Sequence, residues 1–253
     1  MRSHLDVYDK LLRLQTDMSF DLEEVLRRSA SWGRAQTVLD IGCGNGAYAR
    51  RLAARYPDKR ILGLEPDADL LACHKSAATP SNLKYINDHV RGLDADYFAD
   101  QAVCRLVLMY VQDPDDLARW AIDHVGSIIL IDPADDLFSV SPELPGFEAI
   151  LAKNSQRIAQ MGGQRDITNR IVDIWSAAGF ELMHEQDLTV PSSLRGSKHL
   201  MHHLMVLNAE LIDGTPLKPD IHEELLRWSL DYNSYLQYGF RCRTFTRNAI
   251  RKG

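Results

Sequence analysis

From residue 37 to residue 132 the chain alternates short, nearly continuous apolar runs with amphipathic segments, and no other feature constrains its fold as tightly. "TVLDIG", "RILGLE", "LKYIND", "RLVLMYV" and "SIILID" read as strands. Between them "AYARRLAARY", "DADLLACHKSA" and "PDDLARWAIDHV" read as helices. The last of these carries its proline and acids at its start, where free N–H groups and the helix dipole favour them. Strands alternating with helices imply a parallel sheet with helices on both faces. Runs as apolar as "SIILI" fit strands buried on both sides.

The flanks are different. Leu5, Tyr8, Leu11, Leu12 and Gln15 fall at helical spacing, and Leu22, Val25, Leu26 and Ala30 continue it in a second helix. After Asp132 the order expected is a loop ("ADDLFSVSPELPG"), a helix over residues 147 to 160, a helix ended by Gly179, and the strand "FELMHEQDLTV". Two helical stretches over residues 195 to 237 and the half-exposed strand "FRCRTFTR" follow. We read one domain, 1–253, with an N-terminal helical cap (1–34), a ligand-binding core (35–190), a helical insertion (191–237) and a final strand with tail (238–253).

Composition excludes several classes. The net charge of −6 argues against a nucleic-acid partner, because phosphate contacts need a basic face. The cysteines, Cys43, Cys73, Cys104 and Cys242, form no C-x-x-C pair, so neither a zinc knuckle nor a redox pair is suggested. No apolar run approaches membrane-spanning length, so no membrane partner is expected. The N-terminus alternates charge with apolar residues, unlike a signal peptide, and a cytoplasmic location is expected. A homodimer is compatible with these numbers.

The most informative stretch is "VLDIGCGNGAY", a strand, then Gly42, Gly44 and Gly46, then a helix. A turn without side chains lets a ligand approach the backbone, and the helix behind it presents free N–H groups. Glu65 ends the next strand, where an acid can accept hydrogen bonds from two ribose hydroxyls. Gly42-x-Gly44-x-x-Ala47 also satisfies the dinucleotide fingerprint. Asp40, inside the strand, separates the two ligands: it would repel a pyrophosphate and attract a cationic cofactor.

Together, "VLDIGCGNG", "LGLEPDADLL", "INDHV", "RLVLMYVQDPDDLARW", "SIILIDP" and "GGQRDITNRIVDIWSAAGFEL" resemble the ordered motifs of the class I S-adenosylmethionine-dependent methyltransferases, in particular small-molecule members. The resemblance covers residues 35 to 190 and the final strand. It implies a Rossmann-like, seven-stranded, mostly parallel sheet with the last strand antiparallel. It also implies S-adenosyl-L-methionine as cofactor and methyl transfer to a small-molecule substrate by direct displacement. By the same resemblance, Asp40, Gly42, Cys43 and Gly44 lie at the methionine end of the cofactor. Glu65 holds the ribose, Pro66 lies against the adenine, Asp88 and the His89 amide meet its edge, and the Leu108 or Met109 carbonyl accepts from the ammonium. The fold does not fix catalytic residues. Tyr110 beyond the fourth strand, Tyr8 on the first helix and His199 in "KHLMHHLM" are the substrate or base candidates, and no metal site is expected. A non-methylating protein that binds the same cofactor (a regulator or cyclase) and a nicotinamide oxidoreductase are the rival functions.

Overall fold

The apolar runs pair as one sheet in a computed structural model that describes residues 3–73, 78–194 and 196–248. Its strands are β1 (Thr37–Ile41), β2 (Arg60–Leu64), β3 (Leu83–Ile86), β4 (Ala99–Arg105), β5 (Val125–Pro133), β6 (Ser139–Ser141), β7 (Phe180–Pro191) and β8 (Tyr235–Arg247). The order is β3-β2-β1-β4-β5-β8, with both β6 and β7 pairing to β8. Strands β1 to β5 pair in parallel, and β8 runs antiparallel to β5, β6 and β7.

The helices are α1 (His4–Ser19), α2 (Ala30–Arg34), α3 (Ala47–Arg55), α4 (Ala68–Ala72), α5 (Pro114–His124), α6 (Pro145–Gln160), α7 (Ile171–Ala177), α8 (Ser197–Asp213) and α9 (Pro219–Leu230). Alternation along each strand divides the core between the two faces of the sheet. Leu39, Cys104, Ile128 and Leu130 pack with Trp120 of α5 and Trp175 of α7. Val38, Ile61, Val103 and Ile129 pack with Leu52 of α3 and with Phe20 and Trp32 from the N-terminal segment. A third cluster joins α6, α8 and α9 to Leu236 of β8, and α1 docks on α8 through Val7, Leu11, Leu204 and Leu207.

Three expectations change. Among the described residues the sheet has eight strands where seven were expected, because part of the expected loop after Asp132 forms the short β6 against β8. The fourth strand is not "RLVLMYV" but the segment before it, and chain pairing explains why. Gln101 to Arg105 hydrogen-bond between β1 and β5, with the buried Gln101 amide satisfied by Ser127 Oγ (2.5 Å) and the Ala102 carbonyl (2.8 Å). The chain then turns at Leu106, which takes a left-handed φ of 59°, and residues 108–110 form a 3₁₀ turn. Finally, the second N-terminal helix is split into a 3₁₀ segment, Leu22–Arg28, and α2. The sheet's order reverses between β1 and β4, and a crevice opens there beyond the carboxyl ends of the strands, as expected for parallel sheets of this kind.

Candidate functional site

The loop between β1 and α3 is shaped by glycines at left-handed φ: Gly42 (69°), Gly44 (57°) and Gly46 (72°). The Gly42 and Cys43 amides donate to the Leu64 carbonyl at 2.8 and 3.0 Å, which ties the loop to the end of β2. Asn45 locks it from above: its side-chain amide donates to the Asp9 carbonyl (3.0 Å) and carboxylate (2.8 Å), while its oxygen accepts from Ala47 N–H (3.1 Å). The first helix is thereby fastened across the loop, with Leu12 directly above Gly44.

Below this loop lies a cleft of about 820 Å³ lined by Asp40, Gly42, Cys43, Gly44, Glu65 and Pro66, with Asp88 and His89 at its far side. Glu65 is buried, and its two oxygens accept from Gly44 N–H (2.9 Å) and Asp67 N–H (3.0 Å). A carboxylate keeps further lone pairs after two such bonds, so it can still receive hydroxyls. Burial pushes its proton affinity up, against the pull of those two amides. Cys43 is buried in the loop and its thiol is pushed well above the ordinary range by that burial. Asp88 is exposed; it accepts from the His89 N–H at 2.7 Å and lies against Gly92. Those two groups satisfy one another at the edge of the cleft.

Asp40 is the unusual member. It is buried, one carboxylate oxygen has no hydrogen-bond partner, and burial pushes its pKa up to about 8 against the pull of Arg105. In the free protein it is therefore mostly protonated at neutral pH, and a cation placed beside it would ionise it. The folded value lies above the ordinary 3.8, so the folded chain binds more protons than the unfolded one and stability falls as pH rises between those values. Asp40→Asn removes this effect. It is expected to raise the melting temperature of the free protein at pH 8 relative to wild type, with a smaller gain at pH 5, as read by thermal denaturation.

A second cavity of about 560 Å³ adjoins the first, enclosed by α1, α6, α8, β8 and the loops after β4 and β5. Tyr8, Leu12, Leu106 and Tyr110 line both spaces and form the partition between them. Burial pushes the phenols of Tyr8 and Tyr110 above their ordinary range, so neither is a ready base at neutral pH.

Two sequence candidates are not brought to these places. His199 is exposed on α8, its ring tilted against that of His203 with centroids 4.2 Å apart, and lines neither cavity; Leu204, Asn208, Leu211 and Ile212 are what α8 turns inward. Met109 lines the second cavity rather than the cleft, and its carbonyl accepts from Gln164 N–H at 2.9 Å. Leu108 lines neither space, and its carbonyl accepts from Val111 N–H at 3.1 Å. The displaced fourth strand is the cause: with β4 ending at Arg105, residues 106 and 107 stand at the cleft. Met201 and Met205 are core residues against α6 and α9. Among the described residues no cluster of histidine, cysteine and acid could hold a metal.

Sequence reasoning missed three groups. Arg105, at the end of β4, is buried and pairs with Glu23 of the N-terminal segment at 2.8 Å. Asp132 ends the apolar part of β5 fully buried, and burial pushes its pKa up to about 7 against the pull of the Met109 and Leu108 amides. Arg157, on α6, points into the second cavity with its Nε buried and unpartnered. Only helix phase, Asn154 and Arg157 being three apart, hinted at the last.

A parallel sheet with one reversed strand near its edge, a glycine loop after β1, an acid inside β1 and another just after β2 make the architecture of the class I methyltransferases. Residues 38–129 match the family model described as "Methyltransferase domain". The malonyl-[acyl-carrier protein] O-methyltransferase 1 of Ilyobacter polytropus is 22% identical over 183 residues, 67% of this chain and 64% of that one. Across three such curated relatives the match covers between 36% and 64% of their length. Phosphoethanolamine N-methyltransferase 2 of Haemonchus contortus superposes with a TM-score of 0.56 at 13% identity, over 98% of this chain and 60% of that one. The [4+2]-cyclase SpnF does so with a TM-score of 0.56 at 16% identity, over 90% and 80%. Residues 38–129 thus match a methyltransferase domain, and the fold around them is the Rossmann-like fold of methyltransferases.

Proposed function

We propose that the chain binds S-adenosyl-L-methionine in the larger cleft and methylates a small molecule held in the adjoining cavity. One observation carries this reading: two separate spaces meet at a partition made of Tyr8, Leu12, Leu106 and Tyr110. The cleft's residues fit the cofactor in chemistry as well as in place. The unpaired Asp40 oxygen suits a cation, and Gly44 holds a left-handed φ of 57° in the loop that the cofactor would approach, a conformation that favours glycine. The Haemonchus protein of similar fold is described in complex with S-adenosylhomocysteine, which supports the same assignment.

Bound S-adenosylmethionine supplies a methyl group already activated by its sulfonium. The chain's own work is then orientation and exclusion of water. Glu65 receives the ribose hydroxyls, Pro66 covers the adenine, Asp88 and the His89 amide meet its edge, and Asp40 faces the positive end. Gly42, Cys43 and Gly44 form the backbone wall against it. Tyr8 and Tyr110 hold the acceptor at the partition as neutral phenols. Helix α1 seals the top of the site. Small-molecule acceptors suit an enclosed 560 Å³ cavity better than a polymer does.

Glu65→Ala is expected to weaken S-adenosylhomocysteine binding by about 1–3 kcal/mol, the scale of lost hydrogen bonds to a charged group, measured by calorimetric titration. Activity is tested by incubating the protein with S-adenosylmethionine and a metabolite extract and following S-adenosylhomocysteine by mass spectrometry. Substrate-dependent accumulation is expected. Tight binding with no accumulation for any fraction would favour the non-methylating alternative.

A further inference from the structure

The arginines that line the two spaces are Arg91, Arg105, Arg157 and Arg165. Three of them have carboxylate partners: Arg105 with Glu23 (2.8 Å), Arg165 with Asp135 (2.7 Å) and Arg91 with Asp116. Arg157 differs. Its Nε is buried without a partner, and among the described residues neither a carboxylate nor another hydrogen-bond acceptor meets its guanidinium. Holding a guanidinium half-buried and unpaired is costly, and a bound anion offsets that cost.

Its neighbours share the same lack. Asn154, three residues earlier and on the same side of α6, has a buried amide oxygen with no partner. Tyr238 of β8 lines the cavity with a buried hydroxyl that is also unpartnered. The Arg157 charge acts on both Tyr8 and Tyr110, which places it beside the partition with the cofactor cleft. The cavity's acids do not neutralise it. Asp135 is committed to Arg165, and Glu143 and Glu148 are exposed. Most of the remaining wall is apolar: Leu11, Met18, Leu151, Leu204, Leu211 and Phe240.

We infer that the cavity takes an amphipathic monocarboxylate, its carboxylate on Arg157 with Asn154 and Tyr238 beside it, and its apolar body against α1 and α8. One unpaired cation balances one negative charge, and the planar guanidinium fork matches a carboxylate in two parallel hydrogen bonds. A phosphate would bring a second charge that the paired Arg165 cannot meet. The inference names the substrate class for the acceptor cavity proposed above and rests on that proposal for the carboxylate's relation to the methyl donor.

The test titrates the whole chain with decanoate, decanol and decyltrimethylammonium by calorimetry, with and without S-adenosylhomocysteine. Decanoate is expected to bind wild type at least tenfold more tightly than either of the others. Arg157→Met should lose roughly 10–100-fold in decanoate affinity, the range of a hydrogen-bonded charged contact, while decanol affinity stays unchanged. Arg157→Lys, which keeps the charge, should retain part of the preference, and it serves as the reading if the methionine variant fails to fold. Equal decanoate binding by wild type and the Arg157 variants would overturn the inference, as would absence of decanoate binding or tighter binding of the ammonium. Failure of S-adenosylhomocysteine to bind while decanoate still selects Arg157 would instead count against the methyl-donor cleft.

Discussion

Glu23→Ala is expected to cost about 3–5 kcal/mol of folding stability, the usual penalty for breaking one side of a buried ion pair. Glu23 is 1% exposed and sits between two guanidinium groups that are nearly as deep, Arg27 at 5% and Arg105 at 9%. It accepts from Arg105 Nε at 2.8 Å and from Ser19 Oγ at 2.6 Å, and Arg27 lies 3.7 Å away. Burial alone would raise the proton affinity of Glu23, but Arg105 and the hydrogen bonds outweigh it and hold its pKa below the ordinary value. The carboxylate therefore stabilises the fold above pH 4.5, and that contribution fades as pH falls through its lowered folded value. Alanine leaves Arg105 buried without its carboxylate partner and leaves Arg27 with Glu24 alone, at 3.3 Å. Arg51→Ala, which breaks the exposed pair with Asp17, should cost no more than about 1 kcal/mol. Urea denaturation of the two variants checks the contrast, and a Glu23→Ala cost as small as that of Arg51→Ala would show that the latch carries little.

Gly44→Val is expected to abolish cofactor binding, a loss of at least 100-fold, with a smaller effect on folding. Gly44 holds φ at 57°, a conformation that costs a β-branched residue heavily. A Cβ there meets Leu12 Cδ1 at 2.9 Å, and the next atom within reach is Leu70 at 3.8 Å. The leucine end can move, because it belongs to a helix packed from above. The backbone cannot keep its turn, and the Gly44 N–H that holds Glu65 at 2.9 Å moves with it. One substitution thus disturbs both the loop and the ribose acid. Calorimetry with S-adenosylhomocysteine, beside a melting curve, separates lost binding from lost fold. Retained affinity in a folded Gly44→Val chain would mean that the ligand does not approach this loop.

What could be read from the sequence was local. A strand, glycines and an acid at the next strand's end lie close along the chain, so Asp40, Gly42, Gly44 and Glu65 fall at one cleft as spacing suggested. The fourth strand was not local. "RLVLMYV" is more apolar than "ADQAVCR", yet the latter pairs, because its buried polar residues find partners on neighbouring strands. No periodicity in the segment itself reports those partners, and the misplaced strand carried Met109 to the wrong space. His199 failed for a related reason. Helical spacing groups His199 with His203, but only the packing of α1 on α8 decides which side of the helix faces the cavity. Arg105, Asp132 and Arg157 acquire meaning from residues far away in sequence: Glu23, the β5–β8 pairing, and the cavity roof.

Titration with S-adenosylmethionine and with NAD at pH 7 decides which cofactor the cleft holds. S-adenosylmethionine should bind, with release of protons as Asp40 ionises beside the cation, and the heat should vary with the ionisation enthalpy of the buffer. That proton release should disappear in Asp40→Asn, and NAD should give no binding. Binding of NAD with no binding of S-adenosylmethionine would make the cleft a dinucleotide site and not a methyl-donor site.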